Sequence, residues 1–178
     1  MSQRSLRGAL RRLPRRQRQI VLLIVVVAAL LGLYRLPEQL RPAPPESLKP
    51  GTYQVKRVID GDTLLLGNGA RVRLIGADTP ETVRPNYPVE PWGPEATQFT
   101  RDFVAGGRIR LQLDGPPKDK YDRFLAHVWV GDRMLEEELL RAGLANAATQ
   151  YRYSAAMKAR FVAAEAEARS ARRGIWSR

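Results

Sequence analysis

The sequence predicts an α+β fold, mainly β: a small five-stranded barrel with about three helices, preceded by an N-terminal transmembrane helix. Five short runs of β-forming residues are separated by turn signals, with one helical pattern between the third and fourth runs and two after the fifth. A stretch of 15 uncharged, largely apolar residues at 20–34 follows a segment with seven arginines and no acid. The length, 178 residues, supports one domain with a real core plus an appendage.

The elements follow in order. Residues 1–19 form a basic cytoplasmic segment and 20–36 a signal anchor, its usable length extended by snorkelling of Arg18 and Arg35. A cleaved signal peptide, with a small-residue site at Val27 and Ala29, is the rival reading; a buried core helix conflicts with the flanking arginines. The positive-inside rule then puts the arginines in the cytoplasm and carries the rest of the chain across the membrane. Residues 37–50 are a proline-rich, extended linker, and 51–178 the globular domain. In that domain Tyr53 to Ile59 is a strand, and Thr63 to Leu66 and Arg71 to Ile75 form a hairpin about Gly67-Asn68-Gly69. The segment with Pro80, Pro85, Pro88, Pro91 and Pro94 is a loop. Glu95 to Val104 carries Ala96, Phe99 and Phe103 on one helical face. Ile109 to Leu113 and Phe124 to Val130 are the last two strands. Met134 to Ala142 is a helix stopped by Gly143, and Ser154 to Arg173 a longer one with Ser154 as N-cap and Gly174 as its stop.

Composition narrows the chemistry. With no cysteine, disulfide scaffolds, thiolate metal sites and cysteine nucleophiles are excluded, and the single histidine, His127, excludes most histidine-based metal sites. Any bound metal is therefore a hard cation held by oxygen: calcium, magnesium or manganese. The net charge is +12 and the pI about 10.8. Of that charge, +8 falls within residues 1–49 and only +4 beyond them. Any attraction for a polyanion must then rest on a few placed groups rather than on bulk charge.

Two acidic groups stand out at strand ends. Asp60-Gly61-Asp62-Thr63 by itself reads as a turn; it is not a helix-hairpin calcium loop, because the twelfth residue from Asp60 is Arg71 and from Asp62 is Arg73. Asp78-Thr79-Pro80-Glu81 reads equally well as a strand end. Arg73 precedes Asp78 by five residues, an odd separation that puts the two on opposite sheet faces unless the strand ends between them.

Taken together, Val58 to Thr63, Arg71 to Glu81, Trp92-Gly93-Pro94-Glu95-Ala96, Asp119-Lys120-Tyr121-Asp122-Arg123 and Gly174-Ile175-Trp176-Ser177 closely resemble the staphylococcal nuclease (thermonuclease) family, in order, over about residues 52–177. The resemblance implies an OB-fold barrel and a calcium-dependent nuclease, monomeric in its catalytic domain, that hydrolyses phosphodiester bonds of DNA and RNA to 3′-phosphate ends. It implies Asp62, Asp78 and the Thr79 carbonyl as Ca²⁺ ligands, with Asp60 as a supporting residue. Glu81 would orient or deprotonate the attacking water, and Arg73 and Arg123 would hold the phosphate. Lys120, Tyr121 and Tyr151 would contact the nucleotide, while Thr149 stands where a further tyrosine is expected and Asp122 where glycine is expected.

These residue types suit the reaction. Attack on a phosphodiester sets anion against anion, which a divalent cation and two permanently charged guanidinium forks offset. The alternative is a membrane-anchored, non-catalytic barrel that binds nucleic acid or protein. Bland readings are expected for His127 (structural), Trp176 (packing of the last turn on the barrel) and Glu136-Glu137-Glu138 (a solvated helix face).

Overall fold

The computed structural model describes residues 43–83 and 87–177, together with Pro14, Gln17, Gln19, Ile20 and Leu23. Apart from those five positions, the basic segment over 1–19 and the anchor over 20–36 lie outside the described residues, among which no helix is long and apolar enough to cross a membrane.

Strand β1 (Gly51–Asp60) runs antiparallel to β2 (Thr63–Leu66) on one side and to β5 (Arg108–Gln112) on the other. β2 pairs with β3 (Arg71–Leu74), and β5 with β6 (Phe124–Val130). A parallel pairing of β3 with β6, Arg73 opposite Leu125, closes the five strands into a barrel. Closure pairs both edges of the five-stranded sheet, so none of the five presents a free edge along its whole length. Alternation fills the interior: Leu64, Leu66, Val72, Leu74, Ile109 and Leu111 are at most 2% exposed, while Arg108 and Arg110 face out.

Two register shifts bend β1, between Val55 and Arg57 and between Val58 and Asp60. The Gly67-Asn68-Gly69 turn forms as expected, with Asn68 Oδ1 accepting the Ala70 amide at 3.1 Å. Helix α1 (Gly93–Phe103) begins earlier than its apolar period suggests, because Pro94 sits at its second position, within the first turn, where a missing N–H costs nothing. The two-residue strands β4 (Ala77–Asp78) and β8 (Asn146–Ala147), which pair with each other, and β7 (Arg133–Met134), which pairs antiparallel with β6, are too short to leave a periodic signal.

Helix α2 (Leu135–Arg141) corrects one expectation outright. Glu136 is not on a solvated face but 0% exposed, with both carboxylate oxygens 3.2 Å from the Val128 amide and Oε1 3.2 Å from His127 Nδ1. Glu137 and Glu138 are engaged by Arg141, and further by Arg160 and Arg133. Three acids in a row carry no hint of which one the tertiary fold turns inward. His127 is structural, as expected: it is fully buried between Glu136 and Asp114 and edge-on to Phe161. Burial opposes its protonation, but the two carboxylates win and raise its pKa.

Helix α3 (Ala155–Ser170) is shorter than expected, ending before Arg172, whose φ of 51° stops it ahead of Gly174. Ser154 is the N-cap by position, yet its side chain makes no capping bond; its own amide donates to Asp114 instead. Trp176, in the closing 3₁₀ turn Gly174–Trp176, lies under Arg169 of α3 at 3.9 Å.

Candidate active site

The site is built from two chain reversals and one loop. In the first, β1 delivers Asp60 to the Gly61-Asp62 turn. A Cβ at Gly61 would lie 2.7 Å from Thr79 Oγ1 and 3.0 Å from the Ala96 side chain, so only glycine lets the turn pass between them. α1 clamps the turn from behind: Thr100 Oγ1 donates to the Gly61 carbonyl at 2.5 Å and Thr97 Oγ1 to Asp60 Oδ1 at 3.2 Å. Asp62 is 5% exposed; its Oδ2 accepts the Thr79 amide at 3.0 Å and the Thr79 hydroxyl at 2.9 Å.

In the second reversal, β3 ends at Leu74 and Gly76 adopts φ +88°, where a Cβ would meet the Phe161 ring at 2.5 Å. The chain then turns into β4, held by β8, and Asp78 comes back to Arg73. This reversal removes the odd-spacing objection, because strand parity holds only while the strand continues. The Arg73 guanidinium consequently lies between the two aspartates, Nη1 on Asp62 Oδ2 and Nη2 donating to Asp78 Oδ1. Burial pulls the Arg73 pKa down, Asp78 opposes this, and the charge of nearby Arg123 adds to the lowering.

The loop before β6 supplies Arg123. Asp119 organises it: Oδ1 accepts the amides of Tyr121 (2.9 Å) and Arg123 (3.0 Å), and Oδ2 accepts Arg123 Nε and Nη2, each at 2.7 Å. Arg123 Nη1 reaches Thr63 Oγ1 at 3.4 Å, and its guanidinium lies 5.4 Å from the Tyr121 ring centre. Asp122, at φ +60°, pairs with Lys118 at 2.7 Å and not with Arg123.

Glu81 and Asp60 are adjacent carboxyls with opposite shifts. Asp60 raises the Glu81 pKa, aided by burial, and two amides oppose it. Burial would also raise Asp60, but bonds from Glu81, the Thr82 hydroxyl and amides hold it down, with Thr82 Oγ1 donating to Asp60 Oδ1 at 2.6 Å. Asp60 therefore stays charged and keeps Glu81 a better proton acceptor than an isolated carboxylate.

All ten residues expected at the site, namely Asp60, Asp62, Asp78, Thr79, Glu81, Arg73, Lys120, Tyr121, Arg123 and Tyr151, line one cleft of about 980 Å³. Tyr121 and Tyr151 are 59% and 58% exposed at its mouth, and Lys120 Nζ lies 5.0 Å over the Tyr121 ring. Thr149 does not line it, whereas Arg152 does. Sequence reasoning missed the roles of Asp119 and Thr82; Asp119 sits inside a recognised motif, but only the loop conformation makes it the partner of Arg123.

Among the described residues no three His, Cys, Asp or Glu side chains group as metal ligands. The donor set nonetheless fits a hard cation: Asp62 and Asp78 are hard carboxylates that already draw a cation, the Arg73 guanidinium, and backbone carbonyl, water and phosphate oxygens are the usual complement for calcium.

A closed five-stranded barrel with three helices is an OB-type fold, and its cleft gathers two aspartates, a glutamate and two arginines. The family model described as "Staphylococcal nuclease homologue" matches residues 71–178. The thermonuclease of Staphylococcus hyicus is 44% identical over 129 residues, covering 71% of this chain and 76% of that protein. The thermonuclease of Staphylococcus intermedius is 54% identical over 99 residues, 54% of this chain, and Endonuclease YncB of Bacillus subtilis 40% over 126, 68% of this chain. These two matches span only 59% and 60% of the relatives' own lengths. The chain belongs to the staphylococcal nuclease family.

Proposed function

We propose that this chain is a calcium-dependent nuclease that hydrolyses phosphodiester bonds of DNA and RNA to 3′-phosphate ends. We further propose that residues 20–36 anchor it in the cell membrane, with a monomeric nuclease domain outside the cytoplasm. The observation that carries the reaction is the convergence of Asp62, Asp78, Glu81, Arg73 and Arg123 in one cleft. The names thermonuclease and endonuclease borne by its relatives support the same class.

Asp62, Asp78 and the Thr79 carbonyl would hold the cation. When bound, Ca²⁺ would offset charge on the phosphate and favour ionisation of a water. The remaining work falls to side chains. Arg73 and Arg123 take the non-bridging phosphate oxygens, with planar forks that stay protonated at any working pH. Glu81 accepts the proton of the attacking water, its affinity for that proton raised by Asp60. Lys120, Tyr121 and Tyr151 position the strand at the mouth of the cleft. Each charged donor aimed at the developing charge contributes about 3–4 kcal/mol to the rate.

The test is cleavage of DNA and RNA by the purified chain with added Ca²⁺ and with chelator. Cleavage only with Ca²⁺ is expected; equal cleavage in both, or none in either, refutes the proposal. Protease digestion of spheroplasts tests the topology, and protection of the C-terminal domain would contradict it.

A further inference from the structure

The net +4 beyond residue 49 conceals an asymmetry. Arg123, Arg133, Arg141, Arg160 and Arg169 each hold a carboxylate. Lys56, Arg57, Arg101 and Arg108 are exposed and make no ion pair with a described carboxylate. Three of these, Lys56 and Arg57 of β1 and Arg101 of α1, line one shallow concavity between that strand and helix, and no acid lines it. Arg108 lies beside it in β5, opposite Gln54. Lys56, Arg57 and Arg101 thus carry positive charge that no acid lining the concavity offsets.

The concavity and the cleft draw on the same strand: residues 55–58 of β1 line the one, and Ile59 and Asp60 the other. Four residues at about 3.3 Å each put Lys56 at most about 13 Å from Asp60, the register shifts in β1 shortening the path. That is about four nucleotides at the 3.4 Å axial spacing of a nucleic-acid strand.

We propose that Lys56, Arg57 and Arg101 form a phosphate-binding exosite for the same polynucleotide strand whose scissile bond occupies the cleft. This rests on the nuclease reading. The site takes backbone phosphates, not bases, since it offers cations and no hydrogen-bonding side chain of fixed geometry for a base edge. It engages a strand only once that strand extends about four nucleotides past the scissile bond, so it favours polymers over dinucleotides.

The experiment compares the full chain with its K56Q/R57Q/R101Q variant and with the charge-conserving K56R/R57K/R101K. Binding of a labelled single-stranded 20-mer is followed by fluorescence anisotropy in chelator from 50 to 200 mM salt. Cleavage of the 20-mer and of a dinucleotide is followed with Ca²⁺. At about 0.7 per phosphate contact, the salt slope should fall by about 2 in the neutral variant. Its kcat/KM on the 20-mer should fall about tenfold at low salt, with dinucleotide cleavage unchanged as the control for folding. The charge-conserving variant should match the parent. An unchanged slope, or equal loss on both substrates, overturns the exosite. Absence of cleavage by the parent with the slope still falling would refute the nuclease reading and leave the exosite standing.

Discussion

Asp119→Asn isolates the positioning of Arg123 from its charge. The substitution is nearly isosteric, and its remaining oxygen can keep the two loop amides that Oδ1 accepts, from Tyr121 and Arg123. What goes is Oδ2, the acceptor of both Nε and Nη2 of Arg123, replaced by an amide nitrogen that is itself a donor. Two charge-assisted bonds are lost, each worth about 1.5–3 kcal/mol when shielded. With the two side chains 25% and 18% exposed, solvent screening reduces the joint effect to about 2–3 kcal/mol. If that energy holds the guanidinium where the phosphate oxygens develop charge, kcat falls about 30- to 100-fold, at 1.4 kcal/mol per decade. The assay is steady-state cleavage of an oligonucleotide by the parent, Asp119→Asn, Arg123→Ala and the double variant. In the Arg123→Ala background the Asp119 change should cost under threefold, because its only catalytic route has been removed. A kcat within twofold of the parent, or an undiminished cost in the Arg123→Ala background, refutes the positioning role.

Other outcomes follow from the same structure. Glu81→Gln removes the proton acceptor while keeping its shape; turnover should fall by orders of magnitude with nucleotide affinity within about threefold, checked by single-turnover cleavage and equilibrium binding. Asp122→Gly relieves a left-handed residue at a strain of about 1 kcal/mol and loses only the exposed Lys118 pair, so urea unfolding should show stability equal to or up to about 1 kcal/mol above the parent. His127 has a raised pKa in the fold, set against burial by Glu136 and Asp114, so the stability it adds is fully present below its unfolded value of about 6.5 and is lost as pH rises through the folded value. The melting temperature should therefore decline across that alkaline window in the parent and not in His127→Gln. Gly61→Ala forces a Cβ to 2.7 Å from Thr79 Oγ1, so a loss of about 1–3 kcal/mol on thermal unfolding is expected, with impaired cleavage of what remains folded.

Local chemistry made much of this protein legible from sequence. The five barrel strands are carried by alternation and by the turn at Gly67-Asn68-Gly69, and both are short-range signals that a neighbour cannot erase. Pro94 shows the limit of such signals: the same residue that marks a loop also opens α1, and only the helix around it tells which. The site residues were legible only through the family resemblance of several motifs in order, since each acidic group by itself reads as an ordinary turn or strand end.

Tertiary structure decided the rest, and in each case because the deciding contact lies far away in sequence. Parity along β3 sets Arg73 and Asp78 apart; the Gly76 reversal, packed on Phe161 of α3, brings them together. Glu136 is indistinguishable from Glu137 and Glu138 until His127 and the Val128 amide draw it inside. Asp119 becomes the partner of Arg123 only through the loop's curl, while adjacent Asp122 turns to Lys118. The charge balance divides in the same way. Composition determines that the domain carries a net +4, but pairing across helices decides which cations are neutralised and which, those of β1 and α1 among them, are left without a carboxylate partner among the described residues.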